Sequence, residues 1–333
     1  MKAILVSDAA ERLKQVYSEE TLQFLRAHAG LDTACLTGQD IRNHPERFSS
    51  VRYLFSTWGC PAFTEEEIGA LLPNLECVFY AAGSVQYFAR PYLHRGVKVF
   101  SAWAANAVPV AEYTAAQILL ANKGFFASSR HLSAGHQSAA RHAFAQYPGN
   151  YDVNVGIIGA GMVGKRVIQA LQQHNVHIFV FDPFLPDEQA QKLGATKCDL
   201  TFLFKNCQTV SNHLANNAST RGMLNGALFE QMLPYATFIN TGRGAQVVED
   251  DLIRVLTNRP DLTALLDVTD PEPPEEGSPL YALPNCILTP HIAGSSGNEV
   301  HRMAEYMKDE FLRYASGQKC LYEVTEAMLE TMA

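Results

Sequence analysis

The sequence predicts an α/β protein with two parallel-sheet domains. A chain of 333 residues is long for a single domain, because domains average about 150 residues. Short apolar runs alternate with helical patterns through the first hundred residues, and a second series of this kind begins at Tyr151. Strands that alternate with helices are typical of a parallel sheet covered on both faces. With 47% hydrophobic and 18% charged residues the chain can build a packed core, which excludes disordered and fibrous classes.

The first series contains apolar runs, rich in Val, Ile, Leu, Phe and Tyr, that are separated by helical segments. We predict strands over residues 2–6, 33–36, 51–56, 75–81 and 97–101. We predict helices over residues 10–29, 64–72 and 85–93, and the second of these opens with the start signal Thr-Glu-Glu-Glu.

A long helix is predicted over residues 106–126. Residues 128–150 are rich in Ser, His and Ala without a clear period, and predict either an extended connection or a dimer arm. Strands of the second series are predicted over residues 154–158, 177–181, 209–213, 237–240, 262–268 and 287–288, followed by a helix over residues 299–315.

Charge and cysteine usage narrow the functional class. The formal net charge is −8 without a long run of either sign, which argues against nucleic acid or anionic lipid as the main partner. Seven scattered cysteines without CxxC spacing predict reduced thiols, and neither a disulfide framework nor a metal site. The N-terminus has too short an apolar run for a signal peptide, and the apolar stretch 108–126 carries Glu112 and Lys123, so we expect no membrane span. We expect a cytoplasmic protein.

A glycine-rich turn follows the first strand of the second series. Residues 156–168 read GIIGAGMVGKRVI, with GxGxxG spacing at Gly159, Gly161 and Gly164. Gly159 permits a tight turn, Gly161 lets a pyrophosphate approach the backbone, and Gly164 lets the helix pack closely on the strand. The N-terminus of that helix offers N–H groups and partial positive charge to phosphates. Because the bare string also arises by chance, its place between a strand and a helix carries the prediction.

The next predicted strand is followed by Asp182, 18 residues beyond Gly164. A carboxylate at this position accepts hydrogen bonds from both ribose hydroxyls of a dinucleotide. Pro183 and Phe184 follow without a nearby Arg or Lys, so a 2′-phosphate would be repelled. The sequence therefore predicts NAD as the cofactor in preference to NADP, and the alternative is a structural turn with a surface Asp.

Three further segments place a functional side chain just after a predicted strand. Arg243 lies in the turn TGRGA, Glu272 in the loop DPEP, and His291 behind a proline in TPHIAG. The carboxyl ends of parallel strands line the ligand crevice, so we expect the three side chains to converge there. The histidine is suited to move a hydroxyl proton, the glutamate to orient its ring, and the arginine to bind a carboxylate and polarise a carbonyl. Taken singly, each residue has a structural alternative as a packing residue, a stiff turn or a helix cap.

The chain resembles the D-isomer-specific 2-hydroxyacid dehydrogenases, a family that includes D-lactate, glyoxylate/hydroxypyruvate and phosphoglycerate enzymes. The similarity runs from about Val51 to LYEVT near the C-terminus and is carried by NAVPVAE, GIIGAGMVG, SNHLANNASTRGML, INTGRGA, DVTDPEP, SPLYALPN and TPHIAG. It implies a flavodoxin-like substrate-binding domain at residues 1–104 and 297–333. A Rossmann NAD-binding domain would be inserted at residues 105–296, and the family is commonly dimeric through that domain.

The resemblance also implies roles for particular residues. Arg243, Glu272 and His291 match the family's catalytic set. Contacts to NAD are implied at Gly159, Gly161, Met162, Val163, Gly164, Asp182, His213, Thr241, Gly242, Asp267 and Gly294. Ala82 and Gly83 match the loop whose backbone amides hold the substrate carboxylate. Trp103 is either a wall of the substrate pocket or plain core packing.

The resemblance does not imply which substrate this protein uses. The family loop often continues as G-x-D-x-I-D, whereas this chain reads GSVQYFA, and Ala215 stands where many relatives have proline. The leading hypothesis is an NAD-dependent oxidoreductase that acts on a small 2-oxo or 2-hydroxy acid. Aromatic residues near the expected pocket favour an apolar substrate side chain, while Arg90 and Arg95 leave a phosphorylated one open. The alternative is an NADH-sensing scaffold of the same family without turnover; a formate-type enzyme is disfavoured by Glu272, where such relatives carry Gln.

Overall fold

The computed structural model describes residues 2–330, and it divides into two compact units. Unit 1 comprises the residues up to Asn106 together with those from Ser295 onward, and unit 2 spans Ala107–Gly294. The chain crosses from one unit to the other after Asn106 and again after Gly294. Each crossing lies two residues from the domain boundary expected from the sequence. Each unit is built on one sheet.

The helices and strands follow one another in these positions. Unit 1 begins with β1 (Ala3–Val6), α1 (Ala10–Val16), α2 (Glu19–Ala29), β2 (Leu31–Leu36), α3 (Gly38–Asn43), β3 (Tyr53–Ser56), α4 (Glu65–Leu71), β4 (Cys77–Tyr80), α5 (Ala89–His94) and β5 (Lys98–Ser101). The chain continues through α6 (Trp103–Asn122), α7 (Phe125–Ser133), α8 (Gln137–Phe144), β6 (Tyr151–Ile158), α9 (Met162–Leu171), β7 (Asn175–Phe181), α10 (Asp187–Lys192), β8 (Thr196–Lys197), α11 (Leu200–Asn206), β9 (Thr209–Asn212), α12 (Gly226–Phe229), β10 (Thr237–Asn240), α13 (Glu249–Asn258), β11 (Thr263–Leu266) and β12 (Cys286–Leu288). It then forms α14 (His301–Ala315) and β13 (Glu323–Val324), with short 3-10 helices at Pro45–Arg47, Gly244–Gln246, Pro279–Tyr281, Gly297–Val300 and Glu326–Glu330.

The sheet of unit 1 has the strand order β13-β5-β4-β3-β1-β2. Five strands are parallel and β13 runs antiparallel to β5. The register sets Phe55, Phe79 and Phe100 side by side, with ring centroids 5.0 Å apart in each neighbouring pair. Phe311 of α14 packs edge-on against the first two rings, and all four side chains are buried. This row of aromatic rings fixes the last long helix on the sheet.

The sheet of unit 2 is wholly parallel, with the strand order β12-β11-β10-β9-β6-β7-β8. One apolar cluster contains Ile118, Ile157 and Ile168, and another contains Phe204 and Phe238, so two cores are built on this sheet. The order reverses between β6 and β9, and ligands of open α/β sheets bind at such a reversal. The doubly wound α/β fold class is confirmed, since the parallel strands have the flavodoxin-like order in unit 1 and the Rossmann order in unit 2.

Three of the predicted helices are wrong in extent. The helix predicted over residues 85–93 begins only at Ala89. Residues 10–29 form two helices, because Ser18 is extended and its side chain accepts the Thr21 N–H as the N-cap of α2. The helix predicted from residue 106 already begins at Trp103. It ends before Gly124, whose φ of 67° lies in the left-handed region that only glycine adopts without strain.

Residues 128–150 are largely helical, in α7 and α8, and not an extended connection. Their apolar positions are mostly alanines, including the buried Ala127, Ala140 and Ala143, which give a weak periodic signal. The sequence did not predict strands β8 and β13, because two residues are too few to show an alternation of apolar and polar positions.

No helix within residues 2–330 is long and apolar enough to cross a bilayer. In the same part of the chain no three His, Cys, Asp or Glu side chains are grouped in a way that would hold a metal ion.

Candidate active site

The glycine turn between β6 and α9 has the geometry that a pyrophosphate requires. Gly159 has a φ of 90°, and a Cβ there would lie 2.8 Å from the His213 carbonyl oxygen. A Cβ on Gly164 would lie 1.9 Å from the Gly159 carbonyl oxygen, whereas one on Gly161 would meet no atom within 4 Å. The first and third glycines are thus required by packing, and the second leaves open space at the N-terminus of α9. Backbone N–H groups of Met162 and its neighbours face no carbonyl there, as in the first turn of any helix, so these residues fit a dinucleotide.

Asp182 directly follows β7 and reaches back to this turn. Its Oδ2 accepts the Ala160 N–H at 2.7 Å, and its Oδ1 accepts the N–H groups of Phe184 and Leu185 at 2.8 and 3.1 Å. No Lys or Arg within the described residues forms an ion pair with it. The carboxylate was expected to serve the ribose; it also ties the glycine turn to the loop after β7.

His213 follows β9 in a network of hydroxyl groups. Its Nε2 lies 2.9 Å from Ser211 Oγ and its Nδ1 lies 3.3 Å from Thr241 Oγ1, which in turn lies 3.1 Å from Thr114 Oγ1. Burial lowers the pKa of His213 to about 3. The imidazole is therefore neutral near pH 7 and can act here only as a neutral donor or acceptor.

Buried amides hold the backbone around Arg243, and sequence reasoning missed them. Asn212 Nδ2 lies 3.0 Å from Asn240 Oδ1 and 2.6 Å from Gln246 Oε1. Asn240 Nδ2 donates to the Arg243 carbonyl at 3.1 Å, and Gln246 Oε1 accepts the Arg243 N–H at 3.3 Å. Gly242 lies against the same amides, because a Cβ on it would come within 3.0 Å of the Asn212 and Gln246 side chains. The signal available in the sequence was an asparagine at the end of each of two apolar strands.

The Arg243 guanidinium is half-buried beside the loop that follows β11. Its Nη1 donates to the Gly242 carbonyl at 2.8 Å. Burial lowers the pKa of Arg243 below its usual value, and the nearby Glu272 carboxylate opposes this shift. A Cβ on Gly244 would lie 2.0 Å from the Thr269 carbonyl carbon, so the two loops touch through their backbones. This contact brings Arg243 close to Glu272.

His291 and Glu272 form a close pair on neighbouring loops. Glu272 Oε1 lies 2.6 Å from His291 Nδ1, and the two side chains are 41% and 47% exposed. The second ring nitrogen, Nε2, has no hydrogen-bond partner within residues 2–330. The His291 backbone has a φ of 54°, a left-handed conformation that is uncommon outside glycine. The structure thus brings Arg243, Glu272 and His291 together at the carboxyl ends of β10, β11 and β12.

Asp267, which follows β11, organises the loop that carries His291. The buried carboxylate accepts the Thr289 hydroxyl at 2.6 Å and the N–H groups of Ile292 and Ala293 at 2.8 and 2.9 Å. Its carbonyl accepts the His291 N–H at 3.1 Å. Gly294 follows in the same loop. Asp267 was expected to contact NAD; in the structure its side chain fixes the backbone on both sides of the histidine.

In unit 1, Ala82 and Gly83 lie in the loop that follows β4. Ser101 Oγ lies 2.8 and 2.6 Å from their carbonyl oxygens, and Ala102 N–H donates to the first of these at 3.0 Å. The N–H groups of Gly83 and Ser84 make no hydrogen bond within residues 2–330. With its carbonyls engaged and these amides open, the loop can accept an anion.

Trp103 and Asn106 lie at the start of α6, shortly after Ala102, whose N–H donates to the Ala82 carbonyl. The Trp103 ring is partly buried against the core and meets Tyr322 edge-on at 5.8 Å. Asn106 Oδ1 accepts the Ser295 N–H at 2.9 Å, and its Nδ2 would lie 3.8 Å from a Cβ on Gly83. Asn106 entered the sequence analysis only as part of a motif, although it lies next to the expected carboxylate loop.

The chain is similar to known proteins over most of its length. The family described as D-isomer specific 2-hydroxyacid dehydrogenase, NAD binding domain, matches residues 117–293, which is more than half of the chain. A Bacillus subtilis protein named "Putative 2-hydroxyacid dehydrogenase YoaD" is 34% identical over 206 residues, 61% of this chain and 59% of its own length. D-3-phosphoglycerate dehydrogenase of Archaeoglobus fulgidus is 25% identical over 305 residues, 90% of this chain and 56% of its own.

This chain thus spans between 56% and 59% of the length of these two relatives. Among solved structures, a phosphoglycerate oxidoreductase from Rhizobium etli superposes with a TM-score of 0.82 at 19% identity, over 98% of this chain and 99% of that one. At this identity the superposition shows the fold alone. The family match and the glycine turn together show that the chain belongs to the D-isomer-specific 2-hydroxyacid dehydrogenases and that its cofactor is NAD.

Proposed function

We propose that the protein is an NAD-dependent oxidoreductase that transfers a hydride between NAD(H) and a D-2-hydroxy acid/2-oxo acid pair. The observation that supports this most is the Glu272–His291 pair, 2.6 Å apart, on the strand-end loops of the NAD-binding unit. An imidazole that is held by a carboxylate at Nδ1 and open at Nε2 is suited to exchange a proton with a substrate oxygen.

His291 and Glu272 are proposed to move the proton, and Arg243 to bind the substrate. NAD supplies the hydride acceptor for oxidation and, as NADH, the donor for reduction. During oxidation His291 takes the proton of the 2-hydroxyl at Nε2, and Glu272 orients the ring and stabilises the imidazolium that forms. Arg243 binds the substrate carboxylate and polarises the oxygen on C2. During reduction His291 returns the proton to that oxygen.

The proposed NAD contacts come from the turn at Gly159–Gly164 and from the strand-end residues beside it. The pyrophosphate is bound by the N–H groups at the start of α9. Asp182 binds the ribose hydroxyls and disfavours NADP, since a 2′-phosphate would meet its negative charge without a basic partner. The remaining contacts are assigned to His213, Thr241, Gly242, Asp267 and Gly294.

Unit 1 is proposed as the substrate-binding domain for a small 2-oxo or 2-hydroxy acid. The N–H groups of Gly83 and Ser84, which make no hydrogen bond within residues 2–330, support this because they can donate to a carboxylate oxygen of the substrate. Trp103 is proposed as a wall of the same subsite, and its edge-on contact with Tyr322 would hold the ring in one orientation.

A cytoplasmic homodimer is the proposed working form. All seven cysteines are free, as is usual in a reducing compartment. Helices α6 to α8 expose large apolar side chains at Leu120, Phe125, Leu132 and Phe144, between 41% and 59% exposed, which a second copy would cover. Light scattering during size-exclusion chromatography tests the dimer, and a monomeric mass would contradict it.

The oxidation of NADH with a panel of acids tests the proposed activity. The panel comprises glyoxylate, hydroxypyruvate, pyruvate and branched or aromatic 2-oxo acids, with His291→Ala as the control variant. We expect turnover with at least one of these acids, and loss of that turnover in the variant. Normal NADH binding without any turnover would instead favour an NADH-sensing scaffold, and faster reaction with formate than with every oxo acid would favour a formate-type enzyme.

A further inference from the structure

The chain beyond α14 folds back over unit 1 as a strap, defined here as residues 320–330. The reversal is fixed by Glu310, a fully buried carboxylate whose Oε1 accepts the N–H groups of Leu321 and Tyr322 at 2.6 and 2.7 Å. Arg313 donates to its other oxygen at 2.8 Å, so the buried charge is paired. A buried acidic group with three donors holds the start of the strap in one place.

The middle of the strap adds an edge strand to the sheet. Glu323 and Val324 pair antiparallel with β5, and Lys98 forms an ion pair with Glu323 at 2.5 Å. The Tyr322 carbonyl accepts the N–H of Ser101 at 3.1 Å. Ser101 is also the residue whose hydroxyl lies against the carbonyls of the Ala82–Gly83 loop. One flank of the proposed carboxylate loop therefore rests on a residue that the strap holds.

The end of the strap contacts the other flank of the loop. Gln86 Nε2 donates to the Leu329 carbonyl at 2.7 Å, and the Leu329 side chain is only 3% exposed within the core of unit 1. Arg90, at the start of α5, pairs with Glu330 at 3.1 Å. Between β4 and α5 the loop's own backbone hydrogen bonds lie at its carboxyl end, where the Val85 carbonyl accepts the N–H groups of Phe88 and Ala89 at 3.2 and 3.0 Å. Contacts from the strap add to this order through the Gln86 side chain.

We propose that the strap positions the loop of residues 82–88 for the substrate carboxylate, and that Gln86 is the positioning residue. The inference rests on the proposed function in one respect, that this loop binds the carboxylate. Backbone amides bind an anion well only when they are held in place beforehand, because ordering a loop upon binding reduces the affinity. The loop departs from the family pattern G-x-D-x-I-D at Val85, Tyr87 and Phe88, whereas Gln86 lies at a position that the pattern leaves open. The pattern therefore does not prescribe the contact that Gln86 makes with the strap.

The variant Gln86→Met tests the proposal, because methionine keeps the length of the side chain and removes the amide donor. Gln208→Met is the matched control. Gln208 Nε2 also donates to a distant backbone carbonyl, that of Tyr235 at 2.8 Å, but at the amino end of β9 in unit 2. Three quantities are measured in the full chain: hydrogen–deuterium exchange of the peptide over residues 82–92, the affinity of the NADH complex for oxamate, and the KM and kcat of the best oxo acid.

We expect Gln86→Met to speed exchange in residues 82–92 and to weaken oxamate binding and raise KM by about 5- to 10-fold, the scale of one lost hydrogen bond. The kcat and the NADH affinity should stay within about twofold, since the residue touches neither chemistry nor cofactor. Gln208→Met should change none of these quantities. Unchanged exchange in Gln86→Met, or equal effects of the two variants, would overturn the proposal.

The outcome for the proposed activity is read separately. If the wild-type protein reduces no 2-oxo acid, the proposed activity fails, and the exchange and oxamate results alone decide about the strap. Faster exchange of the loop together with weaker oxamate binding would then still support a carboxylate loop positioned by the strap. Faster exchange with unchanged oxamate binding would overturn it.

Discussion

Asp182 offers the most informative single substitution, because its carboxylate has both a structural and a proposed binding role. In Asp182→Ala three backbone N–H groups lose their acceptor. Those of Ala160 and Leu185 belong to residues only 5% and 4% exposed, whereas Phe184 is 84% exposed and its N–H can turn to water. Each buried donor left unpaired costs about 1–3 kcal/mol, so the variant should lose at least about 2 kcal/mol of folding free energy. That corresponds to a fall in Tm of at least about 4 °C.

The same change removes the proposed ribose acceptor. We expect NADH to bind about 10- to 100-fold more weakly, which corresponds to about 1.4–2.8 kcal/mol. The affinity for NADPH should fall less or rise, because the negative charge that opposes a 2′-phosphate is gone. Fluorescence titration with both dinucleotides and thermal unfolding without ligand measure these effects independently.

The matched control is Asp261→Ala. Asp261 also accepts a backbone N–H, that of Tyr235 at 3.2 Å, but it precedes β11 at the opposite ends of the strands. The control should lose stability and leave both dinucleotide affinities unchanged. An unchanged ratio of NADH to NADPH affinity in Asp182→Ala would refute the ribose assignment, and an unchanged Tm would refute the structural role.

Three further outcomes are expected. In steady-state assays His291→Ala should lower kcat by at least about 10²-fold with little change in NADH affinity, and Glu272→Gln should cause a smaller loss; near-normal turnover in the first variant would remove His291 from its role. Because burial lowers the pKa of His213 to about 3, the unfolded chain binds a proton below pH about 6.5 that the folded chain does not, so stability falls as the pH falls toward 3. In urea unfolding between pH 7 and 4, His213→Gln should flatten this decline, and parallel curves would contradict the assignment. The His94 ring donates hydrogen bonds to the carboxylates of Glu65 and Glu326, which raise the pKa of His94. Its contribution to stability is therefore full at acidic pH and is lost as the pH rises through that raised pKa. The difference in Tm between wild type and His94→Gln should therefore shrink between pH 6 and 9, and a constant difference would refute this.

The sequence was a good guide where a pattern repeats over several residues. The apolar runs that correspond to β3 and β10 are examples. Runs of this kind predicted both the fold class and the order in which strands and helices alternate. The glycine turn could be placed because Gly159 and Gly164 are required by contacts with neighbouring backbone, which leave no room for a Cβ. Candidate site residues at strand ends could also be proposed from the sequence, because a polar side chain after an apolar run stands out.

Features that depend on contacts between distant segments could not be found in this way. The Asn212–Asn240–Gln246 amide cluster joins residues up to 34 positions apart, and nothing local to any of them shows the pairing. The second role of Asp182 depends on how closely β7 returns to the turn after β6. The strap was hidden for a further reason, since a two-residue strand gains its stability from its neighbour and not from its own sequence.

The left-handed backbone at His291 affects the stability that is expected when this residue is substituted. A non-glycine residue in this conformation costs of the order of 1 kcal/mol, and asparagine or glycine would adopt it more easily. Replacing the histidine by glycine would relieve this backbone cost, so the variant is expected to lose less stability than loss of its side-chain contacts alone suggests. Under the proposed function, the histidine occupies this position for its proton chemistry in spite of the backbone cost.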